Sequence, residues 1–328
     1  MARLVAGFGS SHSPMLAAQA VDWNGGFLSR DKARPHIDLD GNPCNYQSLL
    51  AAAPGDAMAR IAPELLARRH AEVQASIARL ADDIAGAQLD ALIVVGDDQE
   101  ELFDHNNMPA IGIYYGETIR NAGQASIAGD DWMARARRRY LEPGEAAEHA
   151  CHPALARHLI GALQQDGFDI SVMRAMPAGK FEGHAYSYVH HFCLPHGAVP
   201  IVPVFLNAYF PPNQPTPARC FALGEAIAGA VAAFSGDVRV GIMASGGLSH
   251  FVVDEVFDRA LLDALRRKDA AFFRSAPLAK LQSGSSEIRN WICVAGAAGA
   301  MDVAWASYVP GYRTPALTGT GLAFASLR

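Results

Sequence analysis

The sequence predicts an α/β protein: a single domain on one central, mostly apolar β-sheet, covered by helices on both sides, with its site at the strand ends. Three observations predict this. Short apolar runs bounded by Gly, Pro or Asp alternate with longer stretches of helical period. Most of those runs have no polar face, which suits a sheet buried on both sides. Half of the 328 residues are hydrophobic and only 18% are charged, enough apolar material for one large core.

Strands are expected at residues 4–8, 91–95, 111–115, 169–173, 200–207, 238–244 and 303–309. The first run ends in Gly, Ser and His within a few positions, so it reads as a strand and not as a signal peptide. The clearest helix covers residues 58–87, where Ile61, Leu65, Val73, Ile77, Leu80 and Ile84 recur at helical spacings with Arg, Glu and Asp between them. Further helices are expected at 153–165, 217–234, 255–273 and 286–301, the last with Ser285 or Ser286 as its N-cap. Two stretches, 22–56 and 121–149, break the alternation. They read as loop excursions that close over a site, or equally as a solvated arm or an oligomer contact.

Composition excludes several classes. The 33 acidic and 27 basic residues leave a net charge of −6, which disfavours a nucleic-acid partner. The longest apolar stretches fall short of the roughly 20 residues that span a bilayer, so no membrane partner is expected. Five scattered cysteines without a Cys-x-x-Cys pair suggest neither a disulfide framework nor a thiolate zinc site, and point to a reducing cytoplasm.

Four polar clusters fall where a predicted strand ends or a helix opens: Gly9-Ser10-Ser11-His12-Ser13-Pro14, Gly96-Asp97-Asp98-Gln99-Glu100-Glu101, Gly246-Gly247-Leu248-Ser249-His250 and Ser283-Gly284-Ser285-Ser286-Glu287. His184, in Glu182-Gly183-His184-Ala185-Tyr186, is a further candidate. Singly, each has an ordinary structural explanation. Together, histidines and a carboxylate just beyond different elements suit a divalent cation with open positions, and the lack of thiolate favours iron, manganese or zinc.

In these motifs, with Arg219-Cys220-Phe221-Ala222-Leu223-Gly224 and Trp291 in the same order, the chain resembles the type III extradiol ring-cleaving dioxygenases. That group includes the β-subunit of protocatechuate 4,5-dioxygenase and relatives acting on gallate and 3-O-methylgallate. The resemblance implies that His12 and Glu287 ligate Fe(II), that His250 is an acid/base beside the substrate, and that His184 lines the same pocket. It implies O2-dependent opening of a catechol-type ring, such as a hydroxylated or methoxylated benzoate. Gln99 stands where the family has its second metal histidine. Either Gln99 is itself a ligand, or Asp98 or His105 moves in, or the metal chemistry has changed. In the last case the alternatives are a metal-dependent hydrolase or lyase, or a non-catalytic binding protein.

The other histidines, including His70, His149, His152, His158, His190, His191 and His196, read as surface, capping or core residues. Tyr186, Tyr188, Trp23 and Phe27 are possible aromatic walls for a flat substrate, or packing. The expected assembly is a homo-oligomer, with a small α-subunit of the protocatechuate type possible but not required.

Overall fold

Nine strands form one mixed sheet in the computed structural model, which describes residues 1–197 and 199–328. In chain order they are β1 (Arg3–Ser10), β2 (Ala91–Asp97), β3 (Ile111–Tyr114), β4 (Ser171–Met173), β5 (Ile201–Leu206), β6 (Arg239–Ser245), β7 (His250–Val252), β8 (Val303–Tyr312) and β9 (Thr318–Leu327). The centre is parallel, in the order β1-β6-β2-β5. Antiparallel β3, itself parallel to β4, extends one side, and antiparallel β9, which also pairs β7 and β8, extends the other.

Both faces are buried, as the uniformly apolar runs require. In β2, Ala91, Ile93 and Val95 enter one core while Leu92 and Val94 enter the other, the alternation of a pleated strand expressed as two apolar layers. The first layer is closed by α2 (Pro153–Gln165), α3 (Pro217–Ala233), α4 (Glu255–Arg267) and α5 (Ile288–Ala297); the second packs under α1 (Pro63–Gly86). Thr216 caps α3 through Arg219 N–H at 3.2 Å, and Asp254 caps α4 through Phe257 N–H at 3.0 Å. No helix of the described residues is long and apolar enough to cross a membrane.

Several boundaries differ from expectation, each for a local reason. The helix expected from residue 58 starts at Pro63, whose ring suits a first turn and not an interior, after a short 3-10 turn at Ala59–Ile61. The segment 255–273 is two helices, Glu255–Arg267 and Ala270–Arg274, because Lys268 takes a left-handed conformation at φ 56° between them. Neither Ser285 nor Ser286 caps the last helix. Both lie in a 3-10 turn, Ser283–Glu287, and Ser285 Oγ instead accepts from His250 N–H at 2.8 Å.

Two strands of the nine-stranded sheet, β7 and β9, are not among those expected from the sequence. β9 reads Thr-Gly-Thr-Gly-Leu-Ala-Phe-Ala-Ser-Leu, rich in small residues with weak strand preference, yet all ten of its residues are buried. The excursions are not structureless. Helices Ala20–Gly25, Phe27–Ala33 and Tyr46–Ala51 occupy the first, and helix Trp132–Arg138 with the strand pair Thr118–Asn121 and Ala147–Ala150 the second.

Candidate functional site

The four central parallel strands end along one edge of the sheet, and each delivers a polar group there. His12 follows β1, Asp97 closes β2 with Gln99 just beyond, Tyr209 follows β5, and the loop after β6 leads to His250. Glu287, at the end of the 3-10 turn that opens α5, meets them from above the sheet edge.

Glu287 is the hub of this group. One carboxylate oxygen accepts from Gly247 N–H at 2.6 Å and lies 3.1 Å from His12 Nε2; the other accepts from the Tyr209 hydroxyl at 2.9 Å and lies 3.2 Å from His250 Nε2. Burial would push this carboxyl up, but His250 and His12 beside it hold it well below the usual carboxylate range. His12 is tied by Nδ1 to Ser245 Oγ at 3.1 Å, and Ser245 in turn donates to Ala185 C=O at 2.7 Å. Its Nε2 is buried and makes no hydrogen bond among the described residues, although Asp97 also lies 3.8 Å away.

Asp97 is fully buried. It accepts from Asn290 at 3.3 Å and from the Gln99 amide at 3.2 Å, and burial together with Glu287 raises its carboxyl above the ordinary value. Atoms of His12, Asp97 and His184 lie within 4.8 Å of one another. Gln99 reaches the same point, with its amide nitrogen 3.4 Å from both Glu287 and His184 Nε2.

His184 is oriented by Glu101, whose two oxygens lie 2.9 Å from Nδ1 and which also accepts the His184 backbone N–H. Burial lowers its basicity, but Glu101 outweighs that and pushes the imidazole up to about 10. His250 donates from Nδ1 to Leu248 C=O at 2.8 Å, so its Nε2 is the atom turned to the site. A side chain at Gly284 would run into this imidazole, so close approach and not turn geometry explains that glycine.

Of the residues singled out from sequence, His12, Gln99, His184, His250 and Glu287 come together. Two alternatives for the third ligand do not join them. Asp98 turns back to accept the backbone N–H groups of Leu102 (2.8 Å) and Phe103 (3.2 Å), fastening its own loop. His105 is exposed and paired with Glu100 at 3.0 Å. Trp23, Tyr186 and Tyr188 are fully buried packing residues, with their polar tips on Met15 C=O, Val204 C=O and Ser10 Oγ. Sequence reasoning missed Asp97, Glu101 and Tyr209 as members of the group. Asp97 and Glu101 stood inside a quoted cluster; Tyr209, three residues beyond β5, carried the same strand-end signal.

The group forms the floor of a cavity of about 520 Å3, within the range typical of small-molecule sites. A profile described as the catalytic LigB subunit of aromatic ring-opening dioxygenase matches residues 62–323. The chain belongs to this family. It is also similar to gallate dioxygenase of Pseudomonas putida, 36% identical over 107 residues, a stretch that covers 32% of this chain and 30% of that protein.

Both excursions wall the cavity of this family member. Phe27, Arg30, Asp31 and Arg34 come from the first and Met133, Arg137, Tyr140 and Leu141 from the second. Asp31 and Arg313 form a buried two-pronged pair at 2.7 and 2.8 Å, with Thr318 as a further donor to Asp31. Burial raises the Asp31 carboxyl, but Arg313 pulls it below its usual value. Arg34 stacks on Phe251 at 3.4 Å from the ring centroid, and its buried Nη1 has no hydrogen-bond partner among the described residues. Burial, then repulsion from Arg313, lowers Arg34 to about 10.

Proposed function

We propose that this chain is a ferrous-iron-dependent extradiol dioxygenase that opens a catechol-type ring beside its two hydroxyls, on a substrate that carries a carboxylate. The observation that supports it most is the buried Nε2 of His12, aimed without a hydrogen bond at the carboxylates of Glu287 and Asp97. A buried polar atom without a partner is costly, and a cation among these oxygens would satisfy it. An imidazole, carboxylates and an amide, with no thiolate, suit Fe(II) or its borderline neighbours.

His12 and Glu287 would hold the ion. Gln99 would complete the set through its carbonyl oxygen after its amide, whose nitrogen faces Asp97, Glu287 and His184, rotates to bring that oxygen round. Bound there, ferrous iron would supply the redox-active centre at which a diol and dioxygen are brought together.

The chain's own groups do the rest. His250 Nε2 faces the cavity while its Nδ1 is committed to Leu248, so Nε2 is the atom that takes and returns a phenolic proton. Tyr209 donates to Glu287 and lies 3.5 Å from that Nε2, holding both at the floor. His184, fixed by Glu101, offers Nε2 as a donor to a substrate oxygen. At the cationic end, Arg313 is occupied by Asp31, which leaves Arg34 to receive the substrate carboxylate while Phe251 stacks beneath it. Because both excursions wall the cavity, we read the chain as covering its own site, without need of a separate small subunit. Its five free cysteines support a reducing, cytoplasmic setting.

The test is anaerobic reconstitution of the full chain with Fe(II), followed by addition of oxygen and a panel of catechols with and without a carboxylate. The expected result is equal uptake of diol and O2, with a yellow ring-opened product from the carboxylated members. No oxygen uptake across the panel, with zinc held tightly instead, would overturn the reading.

A further inference from the structure

A second group of histidines and carboxylates lies behind the cavity wall and takes no part in the chemistry above. Glu142 and His149 belong to the second excursion, while His190 and His191 sit in the π-helical turn Val189–Cys193 that follows the helix bearing His184. π-turns interrupt the ordinary helical ladder and recur at functional sites. Here the wider turn sets two successive imidazoles against the excursion.

One oxygen of Glu142 lies 2.7 Å from His149 Nε2 and 3.4 Å from His191 Nε2. The second of these contacts is not a hydrogen bond, and His191 Nε2 is buried without a partner among the described residues. One donor atom from each of Glu142, His149 and His191 lies within 4.8 Å of the others. Two donors held at 2.0–2.1 Å from a tetrahedral zinc ion are about 3.4 Å apart, so the three atoms need little movement to share one.

Ring geometry chooses between this triad and the other grouping that His149 could join. An imidazole binds a cation in its own plane. The rings of His149 and His190 are stacked, 4.0 Å apart with planes at 12°, and such planes do not meet at a common ion. The planes of His149 and His191 cross at 85°, so both lone pairs can converge. His190 therefore backs the site. Its Nδ1 is held 3.0 Å from the fully buried Glu182, which also accepts from Asn121 at 2.6 Å, and its stacked face fixes His149.

We propose that Glu142, His149 and His191 form a second metal site, for zinc or a divalent cation of similar softness, separate from the centre at the strand ends. Two imidazoles and one carboxylate without thiolate favour such a cation over magnesium or calcium. The ligand side chains are 17–25% exposed, which leaves the fourth position to water. The ion would pin the excursion that carries Met133, Arg137, Tyr140 and Leu141 to the body of the protein, and so set the cavity wall from outside it.

The test uses the full chain after chelator treatment, with zinc chloride as the probe, and counts bound ions by equilibrium dialysis and elemental analysis. We expect one zinc-binding event that persists in His12→Ala and is lost in the double variant His149→Gln/His191→Asn, and that raises the melting temperature of His12→Ala but not of the triple variant His12→Ala/His149→Gln/His191→Asn. Glu182→Gln, which removes the carboxylate charge that holds both His190 and Asn121, is expected to weaken that event by about 10- to 100-fold. If every zinc ion bound by the parent is still bound by the double variant, or if all binding disappears in His12→Ala, the proposal fails. Anomalous diffraction from zinc-soaked crystals of the parent needs no variant: a peak between Glu142, His149 and His191 is expected, and its absence also overturns the site.

Discussion

His12 Nε2 lies 3.1 Å from Glu287 Oε2, both groups almost fully buried, although one residue follows the first strand and the other opens the last helix. No hydrogen bond joins them: the imidazole is tethered through Nδ1 to Ser245, and Nε2 is left without a hydrogen-bond partner among the described residues. Such an arrangement leaves two good ligand atoms facing a point that neither fills. Replacing Glu287 by Gln removes the charge while keeping the shape. We expect ferrous iron retained after gel filtration to fall by at least about 100-fold, as loss of a ligand should exceed the 10- to 100-fold effect of losing an outer partner. Iron content equal to the parent's would contradict the role of Glu287.

Gln99 and Asp97 are expected to contribute differently. If Gln99 is the third ligand and Asp97 its anchor, Gln99→His should tighten ferrous binding by supplying a better donor. Gln99→Ala should weaken it more than Asp97→Asn, which keeps a group able to accept from the Gln99 amide. The reverse order in an anaerobic iron titration would make Asp97 the ligand.

Arg34 is the one arginine of the cavity whose buried nitrogen has no partner among the described residues. A hydrogen bond to a charged group is worth about 1.5–3 kcal/mol, so Arg34→Met should raise KM for a carboxylated diol by about 10- to 100-fold. With a catechol that lacks the carboxylate, KM should be nearly unchanged. Equal losses on both substrates would show that Arg34 acts on the cavity's shape instead.

Asp258 links stability to pH. It accepts from Ser249 N–H, Ser249 Oγ and Tyr308, but complete burial dominates and lifts its carboxyl to about 7. In the unfolded chain an aspartate titrates near about 3.9. Between these values the folded state keeps a proton that the unfolded state has released, so this contribution to stability is complete below about pH 4 and is lost as pH rises through about 7. Urea midpoints at pH 5 and pH 8 should therefore differ less in Asp258→Asn than in the parent. An unchanged difference would mean that Asp258 does not stay protonated in the folded protein.

The layered α/β class was legible because short, uniformly apolar runs bounded by turn residues, such as Leu92–Val95, suit strands with two dry faces, a property of the local pattern. The helix starts at Pro153, Pro217 and Glu255 were legible because helical periodicity and a first-turn proline are local signals. The small-residue strand Thr318–Leu327 was not, because what makes it a strand is the pairing offered by β1 and β8, which overrides the weak strand preference of its Gly and Ala residues.

The site divides along the same line. Clusters at strand ends and at a helix opening contained His12, Gln99, His250 and Glu287, because polar residues beside apolar runs stand out in any sequence, and the family resemblance singled these members out. Which members of a cluster face inward was decided only by the tertiary structure. Asp97, the last residue of its strand, points to the centre, while Asp98 next to it turns back to bind its own loop. Successive residues of an extended chain point opposite ways, and a single register step, invisible in composition, separates a buried carboxylate of the site from a loop fastener. The same holds for Glu142, His149 and His191, whose meeting depends on a π-turn and a strand pairing between segments that carry no shared signal in the sequence.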